Sequence, residues 1–149
     1  MAFDRDEYNR IVAASQLIEV ALVRSEFEVK PEYFEDAGGG RKLSTHQEII
    51  GAECHSGIVI VVIKFAAKAK KGRKVALKSE ALYNVVLSVP DDADIGMAED
   101  FAKHMSRYTA YPYFRSHVAH HSWEAAADLP PLPIIKTLPR KKVSAAKEK

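Results

Sequence analysis

The sequence predicts an α+β fold, a four-stranded antiparallel meander sheet followed by one long kinked helix. Three observations lead there. Four strand-like segments follow one another between residues 17 and 89. The spacing of apolar residues then changes from two to three or four after Pro90. A proline, Pro112, falls inside that helical stretch. Antiparallel pairing is favoured because a parallel pair needs a long crossover, and the links here are short.

The opening segment, Phe3 to Gln16, reads as a short helix with Asp4 as its cap and Tyr8, Ile11, Val12 and Ser15 on one face. "LIEVALVRSEFEV", Leu17 to Val29, is the first strand. Its apolar start suggests burial on both faces, and its alternating end suggests burial on one. "KPEYFEDAGGGRK" is a flexible connection, with a proline and then Gly38-Gly39-Gly40. "LSTHQEIIGAECHSG" is a weaker strand. "IVIVVIKFAAKAK" is the strongest, because it opens on a β-branched run. "KKGRK" is a tight turn around Gly72, and "VALKSEALYNVVLSV" is the fourth strand, stopped by Pro90.

The helix follows from one stripe: Met97, Phe101, Met105, Tyr108, Tyr111, Phe114, Val118, Ser122 and Ala125. Asp94 is its N-cap, and Glu99 and Asp100 suit the positive end of the helix dipole. Pro112 removes the hydrogen bond to the carbonyl of Tyr108, so the helix must kink or break there, at a cost of about 3 kcal/mol. "DLPPLPIIKTLP" then forbids helix and favours an extended chain that can lie along a surface. The last ten residues lack apolar mass and read as disordered. The organisation is a segment at 1–16, one domain at 17–138 and a basic tail at 139–149.

A chain of 149 residues can bury a core of its own. Its hydrophobic fraction of 47% and charged fraction of 28% place it among globular rather than disordered proteins. No run reaches the roughly 18 apolar residues of a membrane span. "MAFDRDEYNR" carries no apolar signal segment, and Cys54 has no second cysteine to pair with. A cytoplasmic protein without membrane insertion is expected. Charge is uneven. Of the net +2, Lys64 to Lys78 contribute +7 and the tail from Arg140 contributes +4, which leaves −9 on the rest.

The search for chemistry yields little. His117, His120 and His121 have helical spacing and could share a metal, but no acid or cysteine on that face supplies further ligands. The competing reading has His117 and His121 flanking the packed stripe and hydrogen-bonding locally. Cys54 and His55 are neighbours on a strand and point to opposite faces, so they form no nucleophile–base pair. The three glycines lack the Lys-Ser/Thr of a phosphate loop, and "PDDAD" lacks the terminal Glu of a calcium loop. No enzymatic activity, cofactor or metal is expected. The Lys64–Lys78 hairpin could meet phosphates, which gives a nucleic-acid-binding alternative. Past Phe65 it carries no aromatics interleaved for stacking, and lysines also blunt sheet edges.

The four strands, the Gly-containing link and "MAEDFAKHMSRYTAYPYFRSHVAHHSWEAAADLPPLPI" together resemble the SecB-like export chaperone family. That family has an aromatic-Pro-Tyr followed by an arginine in its long helix, then a Leu-Pro-Pro-Leu-like segment. Here these are Tyr111-Pro112-Tyr113, Arg115, and Leu129-Pro130-Pro131-Leu132. The resemblance spans roughly residues 17–135. It implies that the proline is the family's helix break and that the aromatics are packing residues. It further implies a cytoplasmic, ATP-independent chaperone whose sheet has helices on one side. Protomers would pair into an eight-stranded arrangement, and dimers into a homotetramer. Non-native polypeptide clients would lie in apolar grooves.

Two departures bear on the partner. The export members end in a further amphipathic helix, whereas this chain has "IIKTLPRKKVSAAKEK". They also present an acidic sheet face to the translocation motor, whereas the matching hairpin here is basic, so that partner is in doubt. Relatives that hold the antitoxin of a toxin–antitoxin pair fit better, with general preprotein export as the alternative. Family clients contact the link after the first strand and the segment after the helix. The matching client-binding positions are Tyr33 and Phe34, then Leu129, Leu132, Ile134 and Ile135.

Overall fold

The computed structural model describes residues 3–35 and 41–134. Helix α1, Arg5–Ala14, is capped by Asp4, whose carboxylate accepts from the Glu7 N–H at 3.0 Å. Ile11 is buried, and Tyr8 packs edge-on against Phe101. Four strands follow: β1, Gln16–Val29; β2, Arg41–His55; β3, Ile58–Lys71; and β4, Lys74–Ser88. In the link after β1, Pro31–Phe34 form a 3-10 turn. Helix α2, Ile95–Glu124, is the last regular element among the described residues.

The sheet is antiparallel throughout, with strand order β1-β4-β3-β2. The meander expected of all four strands therefore holds for β2, β3 and β4, while β1 lies beside β4. Crossing three strand spacings takes about 14 Å, which the link beginning at Lys30 can span. This order puts the β-branched β3 and its partner β4 in the centre. Their odd-numbered residues Val59 to Ala67 and Ala81 to Leu87 are buried in one cluster with α2, while Ala69 and Leu77 are buried in a second with Tyr33 and Ala127. The polar β2 and the bulged β1 become edges. β1 is not buried on both faces at its start: Leu17, Ile18, Leu22 and Val23 are exposed, and register shifts at Ile18 and Val23 break its alternation.

Both hairpins are tight. His55 pairs with Ile58 across Ser56-Gly57, both at positive φ, as a primed turn requires. A Cβ at Gly57 would collide with the Asp91 carboxylate. Lys71 pairs with Lys74 across Gly72-Arg73, with Gly72 at φ 64°.

Helix α2 rests on one sheet face. Phe114 stacks on Phe65 at 5.3 Å, and Val118, Val61, Ile63 and Val85 are fully enclosed. Its buried seam includes Ala98, Ala102, Ser106 and Ala110, one position off the expected stripe. These small residues at four-residue spacing bring the helix close to the sheet, and Met97, Met105 and Tyr108 are only partly covered. Pro112 does not break the helix. It is exposed, so the carbonyl of Tyr108 that loses its partner lies on the solvent side.

Candidate functional site: a strap across the long helix

The helix ends in a six-to-one hydrogen-bonded cap. The Ala127 N–H reaches the Ser122 carbonyl at 2.9 Å, and the Ala126 N–H reaches that of Trp123 at 3.2 Å. Ala126 and Asp128 adopt left-handed φ values of 51° and 49°, which reverse the chain. Residues 126–134 then run back along α2 as an extended strap, for which Pro130, Pro131 and Pro133 preset the backbone. Three helix side chains hold it in succession. The Ser122 hydroxyl accepts from the Leu129 N–H at 2.8 Å, the Arg115 guanidinium donates to the Leu132 carbonyl at 2.7 Å, and the Tyr111 phenol donates to the Pro133 carbonyl at 2.6 Å. The aromatic-Pro-Tyr-x-Arg pattern is thus a clamp. Tyr113 takes no part in the packing expected of it: two residues from Tyr111, it lies on the opposite side of the helix and is 54% exposed.

A cleft of about 770 Å³ lies between strap and helix. Pro112, Ser116, Ala119 and Trp123 form one side, and Pro130 and Pro131 contribute to the other. Trp123 is 79% exposed. The sequence reading gave it no role. It follows the buried Ser122 in the last turn of α2, and its exposure is set by the course of the strap, not by the spacing of apolar residues. A smaller pocket of about 160 Å³ opens between the strap end and the β2 edge. Thr45, His46 and Gln47 rim it with Ile134, over Phe65 and Tyr111.

The expected client positions divide. Phe34 and Ile134 are surface residues, 52% and 66% exposed, and Leu129 is half-buried. Tyr33 and Leu132 are corrected: both are core residues, 1% and 2% exposed. The 3-10 turn swings Tyr33 inward, where its phenol donates to the Ala127 carbonyl at 2.6 Å beside Leu77 and Ala69. Leu132 plugs the main core beneath the strap. Ile135 lies outside the described residues, as does the basic tail. The link and the strap do meet, but through buried Tyr33, and Phe34 stands edge-on upon it at 5.3 Å.

The histidines also differ from expectation. His117 and His121 pack ring to ring at 4.1 Å, and His121 contacts Phe27 at 4.8 Å. The local hydrogen bonds expected of them are not the rule: His117 Nε2 and His121 Nδ1 have no partner among the described residues. Burial pushes the His117 pKa down, with smaller contributions from His121 and His120. His120 instead faces Glu124 at 3.0 Å. Among the described residues, no three histidine, cysteine or acidic side chains are grouped to hold a metal ion. On the open sheet face, Lys64 and Lys78 share Glu80, at 3.7 and 3.2 Å, which neutralises part of the hairpin. No helix of the described residues is long and apolar enough to cross a membrane.

No family model matches the chain, and no curated protein does. Among solved structures, the chain is similar to the Mycobacterium tuberculosis Rv1957 SecB-like chaperone, solved in complex with a ChAD peptide from the Rv1956 HigA1 antitoxin. The match has a TM-score of 0.69 at 18% identity, and covers 89% of this chain and 98% of the other. At that identity the likeness shows a shared fold: a four-stranded antiparallel sheet followed by a long helix.

Proposed function

We propose that the chain is an ATP-independent, cytoplasmic chaperone that holds a non-native polypeptide, with an antitoxin as its client. The observation that carries this is the cleft between α2 and the strap. Its volume falls within the roughly 300–1,000 Å³ of sites that enclose an organic ligand or peptide segment. Apolar surface lines it, and an exposed tryptophan stands at its side. Large exposed aromatics mark interaction surfaces and dominate binding energy where they are covered. Holding a client needs burial of apolar surface and no chemistry, so no side chain is given a catalytic role. The shared fold supports the reading, as does the antitoxin peptide carried by the mycobacterial protein. Docking to a translocation motor is left out of the proposal, because the open sheet face here carries Lys64, Lys68 and Lys78.

The test combines two measurements on Trp123→Ala and Phe34→Ala. Each change should weaken suppression of client aggregation by roughly 1–3 kcal/mol in binding, as for a lost apolar contact. Thermal unfolding should stay nearly unchanged, since both side chains are exposed. Full suppression by the Trp123 variant would move the client site away from this cleft, and full suppression by the Phe34 variant would remove the link from it. The antitoxin part is checked by sequencing the neighbouring reading frames and co-expressing the chain with any antitoxin they encode. Absence of a neighbouring toxin–antitoxin pair would remove that part and leave a general holdase.

A further inference from the structure

The strand register places like charges against one another at one end of the sheet. Lys68 is paired with Lys78, Lys70 with Lys42, and Lys71 with Lys74. Directly opposed like charges destabilise a sheet, and Lys68 and Lys78 lie on the central strands β3 and β4, where they shield no edge. Lys30 leaves β1 at the same end, its N–H on the Ala76 carbonyl at 2.8 Å, and Arg73 occupies the turn. Of these cations only Lys78 reaches a carboxylate, that of Glu80; the rest make no ion pair among the described residues. The opposite end of the molecule is acidic, with Asp4, Asp6 and Glu7 on the first helix and Asp91, Asp92 and Asp94 before the second. A shallow cleft of about 540 Å³ at the basic end is lined by Lys30, Lys71, Lys74 and Val75, together with Glu32 and Glu35. Exposed Phe34 lies between those two glutamates in the chain.

We propose that this basic end is a docking surface for an acidic polypeptide segment that flanks the held part of the client. The inference rests on the chaperone reading above and adds the chemistry of the partner. Lys71 buries its ammonium nitrogen, so the cations open to a partner are Lys70, Arg73 and Lys74, which an extended chain laid on Phe34 would approach at about 3.3 Å per residue. An acidic peptide fits better than nucleic acid. Glu28, Glu32 and Glu35 stand among the lysines and would repel a continuous row of phosphates, whereas a peptide can space its acids around them. The one aromatic among the hairpin's lysines, Phe65, is buried beneath the helix and offers no face on which a base could stack. Charge complementarity of this kind acts on encounter rate and partner choice, and salt weakens it.

The experiment uses the full chain and three labelled peptides that share one apolar core and carry Glu, Gln or Lys flanks. Binding is measured across a salt series for the native chain and for Lys70→Gln, Arg73→Gln, Lys74→Gln combined. These three side chains lie on an exposed turn or its flanks, so the fold should tolerate them. The Glu-flanked peptide should bind about tenfold more tightly than the Lys-flanked one at low salt. The advantage should shrink with salt and collapse in the triple variant, while suppression of aggregation of an uncharged client is retained. Equal binding of the three peptides, or an advantage that survives the triple change, overturns the proposal. So does displacement of the Glu-flanked peptide by duplex DNA at lower concentration, or by salt-sensitive association of the chain with itself. If the native chain fails to protect any client yet prefers Glu flanks, the holdase reading falls and the docking surface stands.

Discussion

Tyr33 ties the link after β1 to the strap that borders the candidate site. Its ring fills a small cluster under the link, and its hydroxyl satisfies the buried carbonyl of Ala127. Tyr33→Phe keeps the shape and leaves that acceptor unpaired, so denaturant unfolding should show a loss of about 1–3 kcal/mol. No loss would mean that the carbonyl finds another donor. His117 makes a second case. Its depressed pKa means that the unfolded chain takes up the proton first. Stability is therefore fully present above the ordinary histidine value of about 6.5 and falls as pH drops through the native value. The melting temperature should decline on acidification, and His117→Gln should reduce the decline. An equal decline in the variant would place the acid sensitivity elsewhere.

At the scale of elements, the end of α2 sets the course of the strap. A left-handed residue after a helix is most often glycine, yet Ala126 takes that position here. An L-residue in this conformation costs roughly 1–2 kcal/mol, partly offset by the greater freedom glycine has when unfolded. Ala126→Gly should therefore raise stability by about 0.5–1 kcal/mol with the strap in place. A destabilised variant would show that the alanine methyl packs in a way that outweighs the strain. The clamp of Ser122, Arg115 and Tyr111 is spread over three turns of the helix, so the helix must run unbroken through Pro112 for it to form.

For the whole molecule, the sheet leaves β1 as an outer strand with Leu17, Ile18, Leu22 and Val23 uncovered. A long apolar edge is a template for another strand. The chain is expected to form a dimer or tetramer in solution through this edge, and Leu22→Lys with Val23→Lys should shift it towards monomer. Light scattering that finds only monomer for the native chain at micromolar concentration would rule this out. The two charged poles lie at opposite ends of the strands, so pairing along the β1 edge leaves the basic end open to a partner.

The sequence by itself determined the elements. Alternation gave the four strands, a spacing of three and four gave α2, Asp4 and Asp94 gave the caps that the structure uses, and the prolines gave the extended strap. These depend on backbone chemistry within a few residues, which the chain carries locally. The tertiary structure decided which strand neighbours which, because β1 beside β4 is a choice about what the central strands cover. It also decided the fate of adjacent side chains: Tyr33 went into the core and Phe34 out, Leu132 under the strap and Ile134 beyond it. The small-residue seam of α2 was hard to read because alanine and serine contribute little to an apolar pattern while permitting close approach. Exposure of one side chain depends on surfaces brought from far along the chain, and no local spacing encodes it.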